Sequence, residues 1–190
     1  MGMSLADEIF PNERSPGFVQ TEWAEGWTYA SIGFAEAARF LTENRAEFGA
    51  SIDQAGLAVF FLQRHRMELA MKELLAAKGA DVPTYHELTR LWKVCSEAVG
   101  ASSTEWKELA SIGDEIVALI DKHDRSSHTF RYPVDTNGNL HDRPAHIDLE
   151  AVDAHVSNFV GGLDGYQAYM EESEQAAREY EQEMEQYVDY

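Results

Sequence analysis

Between Phe60 and Leu75 the sequence sets charged residues into an apolar stripe. The stripe runs Leu57, Phe60, Phe61, Met67, Met71, Leu74 and Leu75 at helical spacing. Arg64 and Glu68 fall within it one turn apart, His65 stands beside them, and Lys72 follows a further turn on. A charge in a core costs several kcal/mol unless it is paired, so this spacing predicts a buried or cleft-lining polar cluster. The cluster reads equally as an internal Arg–Glu pair that holds helix register and as a working site. A second dense segment, His123-Asp124-Arg125-Ser126-Ser127-His128-Thr129-Phe130-Arg131-Tyr132-Pro133, follows a predicted helix end. Imidazole, with an ordinary pKa of about 6.5, exchanges protons near neutral pH, and guanidinium steadies developing negative charge.

Other chemistries lack their residues. Five of the seven histidines lie between His123 and His155, but none has the helical His-x-x-x-His spacing or a compact zinc signature. They read as surface or loop residues. No glycine-rich phosphate loop, Gly-x-Ser-x-Gly elbow or catalytic-looking Cys–His pair is present. No metal and no cofactor is expected. The single cysteine, Cys95, cannot staple a fold, which fits a reducing, cytoplasmic setting.

The elements that must hold these residues are helical. At 190 residues and 44% hydrophobic content, the chain suits one domain with a real core. Residues 1–17, rich in Pro, Gly and charge, read as an N-terminal extension without a signal peptide. Trp23, Trp27, Ala30, Phe34, Ala37 and Leu41 then recur at steps of four and three. Ser51 with Gln54, Thr84 with Glu87 and Ser102 with Glu105 have capping-box form, which predicts helices ending near Gly79, Gly100 and Lys122. Thr136-Asn137-Gly138-Asn139 predicts a tight turn and a small β-hairpin near 129–148, with Pro133 and Pro144 confining both arms to edges. Asp148 is placed to cap a last helix carrying Leu149, Val152, Val156, Phe159, Leu163, Tyr166 and Met170. Gly161-Gly162 predicts a kink or a close helix approach there. Ala177, Tyr180, Met184 and Tyr187 continue the stripe. The expected fold is mainly α: an antiparallel bundle of about five helices over 18–170 with the hairpin inserted, and 171–190 as an acidic extension.

Charge bounds the partners. Asp and Glu total 34 against 15 Lys and Arg, a formal −19, and residues 171–190 hold eight acids to one arginine. The charge keeps the chain soluble and repels phosphate backbones at long range. DNA is therefore not expected, and only a local basic pocket leaves room for RNA. No apolar run is long enough for a bilayer. The stripe along the last helix suggests a homodimer or a partner protein.

Taken together, Arg64-His65-x-x-Glu68-Leu69-x-x-Lys72, His86-Glu87-Leu88 at a helix start, and Asp124-x-x-Ser127-x-x-Phe130-Arg131-Tyr132-Pro133 resemble a bacterial branch of the HEPN-like helical domains, over roughly Ile52 to Leu163. That superfamily includes metal-independent ribonucleases of toxin–antitoxin, CRISPR-linked and anti-phage systems, many acting as dimers. Their hallmark is an arginine and a histidine separated by four to six residues on one helix. Here Arg125 and His128, like Arg143 and His146, have only two residues between them, and no arginine has the required spacing. The resemblance implies the fold and a polar cleft lined by Arg64, His65, Glu68, His86, Asp124 and Arg131. For RNA cleavage it implies His65 or His128 as acid/base and Arg64 and Arg131 as electrostatic clamps beside Glu68, with Lys72, His86, Asp124 and Arg125 as binding groups. On that reading alanine at Arg64 or His65 abolishes cleavage and leaves unfolding nearly unchanged. Two classes of function follow: an RNA-directed defence or toxin-type protein, active or having lost its catalytic pair, and a non-enzymatic acidic helical subunit.

Overall fold

A computed structural model describes residues 26–44, 52–100 and 103–188. Among these residues there are five helices: α1 (Trp27–Glu43), α2 (Ile52–Ala77), α3 (Leu88–Val99), α4 (Thr104–Asp124) and α5 (Leu149–Val188). The long α2 lies at the centre, against α1, α3 and α5, while α4 bridges α3 and α5. Trp23, Ser51 and Ser102, assigned above to a stripe and to two caps, lie outside the described residues.

Helix ends follow local chemistry where the partner is local. α2 stops in a Schellman turn: the Gly79 N–H donates to the Ala76 carbonyl and the Ala80 N–H to Leu75, with Gly79 at φ +65°. Gly100, at φ +56°, ends α3. Asp148 Oδ1 accepts from the Glu150 and Ala151 amides and starts α5. Ser103 caps α4 by accepting from the Trp106 N–H. The box at Thr84 does not form. α3 begins at Leu88, Glu87 makes no capping bond, and the Leu88 N–H donates instead to Asp121 Oδ1 of α4 at 3.0 Å.

The hairpin near 129–148 is not seen. Asp135 and Asn139 do close a turn, with Gly138 at φ +83° and Asp135 Oδ1 accepting from the Asn137 and Asn139 amides. Pairing then ends at one isolated bridge, Val134 with Leu140. Pro133 and Pro144 bring no N–H to a ladder. The Thr129 and Tyr132 carbonyls are taken by the Arg143 guanidinium. The segment is an ordered loop tied by a side chain.

The core joins α2 to α5 around an aromatic group: Trp92 lies 5.5 Å from Trp106 and 5.3 Å from Phe159, and Trp106 lies 5.0 Å from Tyr166. Two glycines allow this packing. A Cβ at Gly113 would stand 2.3 Å from the Trp92 ring, and one at Gly162 would stand 2.6 Å from a Leu109 methyl. The second is the close approach of α4 and α5 that Gly161-Gly162 foreshadows. The Cys95 thiol is buried, which pushes its pKa up to about 12, so it stays protonated and inert. Among the described residues no helix is long and apolar enough to cross a membrane.

Candidate functional site

The polar residues of α2 meet the ends of α3 and α4 inside the bundle. Arg64 and Glu68 are each 1% exposed and share a bond of 3.1 Å. Arg64 also donates to backbone: Nε to the Asp124 carbonyl at 2.9 Å, and one terminal nitrogen to the His86 carbonyl. Asp124 Oδ2 stands 3.6 Å from the same Nε, while its Oδ1 accepts from the Thr129 amide. One guanidinium thus joins α2, the loop before α3 and the end of α4.

Glu68 is the hub. Its Oε1 receives Lys72 Nζ at 2.8 Å and faces His86 Nδ1 at 2.7 Å, while Oε2 lies 3.8 Å from His65 Nδ1. Burial alone would raise the pKa of this carboxyl; hydrogen bonds with His65, Lys72 and His86 outweigh it and hold the group well below the ordinary carboxylate range. An ionised carboxylate only accepts, so His86 carries its proton on Nδ1. The His86 side chain is 54% exposed, which leaves the Nε2 edge to solvent.

A depressed carboxyl pKa adds stability that is complete above the unfolded-state value near 4.5 and drains away as pH falls below it toward the folded value. Over that window the stability contribution of Glu68 should decline by about 1.4 kcal/mol per pH unit. Glu68→Gln should therefore flatten the acid limb of chemical denaturation measured from pH 5 to pH 3. An unchanged limb would mean that Glu68 titrates normally in the folded protein.

The other candidate residues lie on the rim. His65 is partly buried, with Phe34 edge-on at 4.7 Å and Phe61 stacked at 5.8 Å. Arg131 is exposed; its guanidinium lies 5.2 Å from the Phe61 ring centre, and Nε donates to the Ser127 carbonyl. His128 is exposed and packs edge-on against Tyr132, away from the carboxylate. Arg125 is exposed and paired with Glu87 Oε1 at 2.9 Å. Lys72 also lies 5.5 Å from the Trp27 ring centre on α1. Arg64, His65, Glu68, Lys72, His86 and Asp124 are thus brought together; His128 and Arg125 are not.

Two residues that hold this site were not singled out by spacing. Asp121 is buried, and its oxygens accept the Leu88 N–H and, at 2.6 Å, the Thr89 hydroxyl, which fixes where α3 starts just after His86. Arg143 ties the 129–132 segment from fourteen residues away. For Asp121 the available signal was an acid one turn before Asp124 on the inner face of α4; for Arg143 there was none. The turn between them keeps Ser127 at φ +61°, a left-handed conformation that costs a non-glycine residue about 1–2 kcal/mol and persists because Asp124 and Arg131 grip it on both sides.

A family model described as the HEPN domain matches residues 30–157, from the first turn of α1 into α5, and so spans every residue of the Arg64–Glu68 network. No curated protein and no solved structure matches the chain. With two thirds of its length matched, and with a helical bundle in keeping with that match, the chain belongs to the HEPN family.

Proposed function

We propose that this protein acts on RNA, as a defence- or toxin-type HEPN protein, through a proton-transfer centre at His86 that stands in for the missing pair of arginine and histidine four to six residues apart on one helix. One observation carries the reading. A buried, ionised carboxylate, neutralised by Arg64 and Lys72, orients an exposed imidazole through Nδ1 at 2.7 Å. That is the arrangement of a base and its orienting acid. Arg64 pins the His86 carbonyl and Glu68 pins its ring, so both are positioning residues. Arg64 is enclosed, with each guanidinium nitrogen already bonded within the fold, so it is not open to a phosphate. In the reaction, Nε2 of neutral His86 takes the proton of a ribose 2′-hydroxyl. That oxygen bonds to phosphorus, the bond from phosphorus to the 5′-oxygen breaks, and the 5′-oxygen is protonated by solvent. The products are a 2′,3′-cyclic phosphate and a 5′-hydroxyl end. Purified protein should cut end-labelled single-stranded RNA to such ends in the presence of a chelator, and His86→Ala should not. No cleavage by the wild type, or equal cleavage by the variant, would overturn the reading.

A second reading, the non-enzymatic subunit, has its own observation. Beyond Met170, α5 leaves the body, and residues 171–185 are all exposed, with Tyr180 63% and Met184 45% open. One turn apart, these two form an apolar patch on a free helix, which favours association with a second copy of the chain. Light scattering should report a dimer at micromolar concentration, and Tyr180→Glu with Met184→Glu should yield a monomer. A monomeric wild type counts against association through this helix.

A further inference from the structure

The chain's negative charge conceals one basic feature. A cleft of about 730 Å³ opens between α3 and α4, and its walls carry Arg90, Lys93, Lys122 and Arg125. Four of the chain's 15 basic residues therefore face one groove of a protein with net charge −19. Two acids, Glu87 and Asp121, line the cleft with them, so the cations outnumber the acids by two. Glu87 is engaged by Arg125 at 2.9 Å and lies 3.9 Å from Arg90. Asp121 spends both carboxylate oxygens on the Leu88 amide and the Thr89 hydroxyl. Lys93 lies 3.8 Å from Glu97, a loose exposed pair, and Lys122 has no ion-pair partner among the described residues. Arg90 is held flat, its guanidinium 4.1 Å from the Tyr85 ring centre.

We propose that this cleft binds the phosphates of single-stranded RNA and leads the strand to His86. The inference rests on the RNA-directed reading above and names the surface that would make it work. Glu87, on the wall of the cleft, follows His86 in the chain, which puts the groove next to the residue that bears the imidazole. The volume lies within the roughly 300–1,000 Å³ of small-molecule pockets, enough for a nucleotide. Four cations on one strand should give a logarithmic salt slope near −3, at about 0.7 per phosphate contact.

The test is RNA binding, read separately from cleavage. Fluorescence anisotropy with a labelled single-stranded oligonucleotide would compare the wild type, K93E/K122E, and K107E/R178E, which makes the same charge change away from the cleft. The cleft variant should bind at least tenfold more weakly, with about half the salt slope, while the control stays near wild type and both melt normally. If K93E/K122E melts early, K93Q/K122Q replaces it and should still bind at least threefold more weakly. This outcome supports the cleft whether or not the RNA is cut, so failure of the His86 chemistry leaves it standing. RNA bound equally by all three proteins, or weakened equally in both double variants, overturns the cleft and leaves the RNA reading intact. No RNA bound by the wild type overturns both, and inorganic tripolyphosphate, tested in parallel, then distinguishes a small-phosphate pocket from a groove that binds neither.

Discussion

Arg64→Ala is expected to destabilise the protein by about 3–5 kcal/mol, the loss found when one partner of a buried ion pair is removed. At roughly 2–4 °C per kcal/mol for a domain of this size, the thermal midpoint should fall by roughly 6–20 °C. The substitution strands several groups at once. The carbonyls of Asp124 and His86 lose their buried donor, Asp124 Oδ2 loses its nearby cation, and Glu68 keeps only Lys72 and the histidines. Arg64→Lys should recover little, because an ammonium cannot span acceptors on three elements as a planar fork does. The sequence reading expected alanine here to leave unfolding nearly unchanged; with the side chain enclosed and its donors committed to the fold, the structure argues the opposite. A midpoint within a degree or two of wild type, alongside lost RNA cleavage, would return Arg64 to the chemistry.

His86→Ala should behave in the reverse way. Removing a general base typically slows a reaction by about 10²–10⁴-fold. The His86 ring is more than half exposed and fills no core space, so the midpoint should shift little. Glu68→Gln separates positioning from catalysis: it keeps the shape, loses the charge that sets the tautomer, and should lower kcat more than it raises KM. The two profiles are opposite, Arg64 losing the fold and His86 losing the turnover. If both variants unfold, the cluster is scaffold alone.

The acid limb and the cleft test address the same site from other sides. A carboxylate held ionised by Lys72 and two histidines is useful to an imidazole only while it stays charged; folded Glu68 keeps its charge well below the pH at which stability begins to fall, so acid weakens the fold before it costs His86 its orienter. The cleft asks only how RNA would arrive. The acid limb can fail without the cleft, and the His86 chemistry can fail while the cleft stands.

Local periodicity reached most of the helical architecture. The α2 stripe, interrupted at Arg64 and Glu68, implied enclosure because a helix repeats its faces every three to four residues and a charge on the apolar face has nowhere else to go. Gly79 and Gly100 mark helix ends in both sequence and structure because a left-handed turn is a local requirement. The Thr84 box was misleading for the complementary reason. Its pattern is local, but the first α3 amide, Leu88, found its acceptor in Asp121, 33 residues away. The hairpin was misread because Asn-Gly specifies a turn and not the ladder beyond it, and Arg143 took the carbonyls that a ladder needs.

From the sequence alone came the helices, the charged residues trapped on the inner face of α2, and the resemblance to HEPN domains, since each depends on spacing within a short stretch. Which charges meet was decided only by tertiary packing. Arg64 closes on Asp124 across 60 positions, and Glu68 closes on His86 across 18. The free edge of His86 and the basic cleft between α3 and α4 exist only once those helices are side by side. Hydrogen bonds and burial depend on distance in space, and no periodicity along a chain records which distant turns will share it.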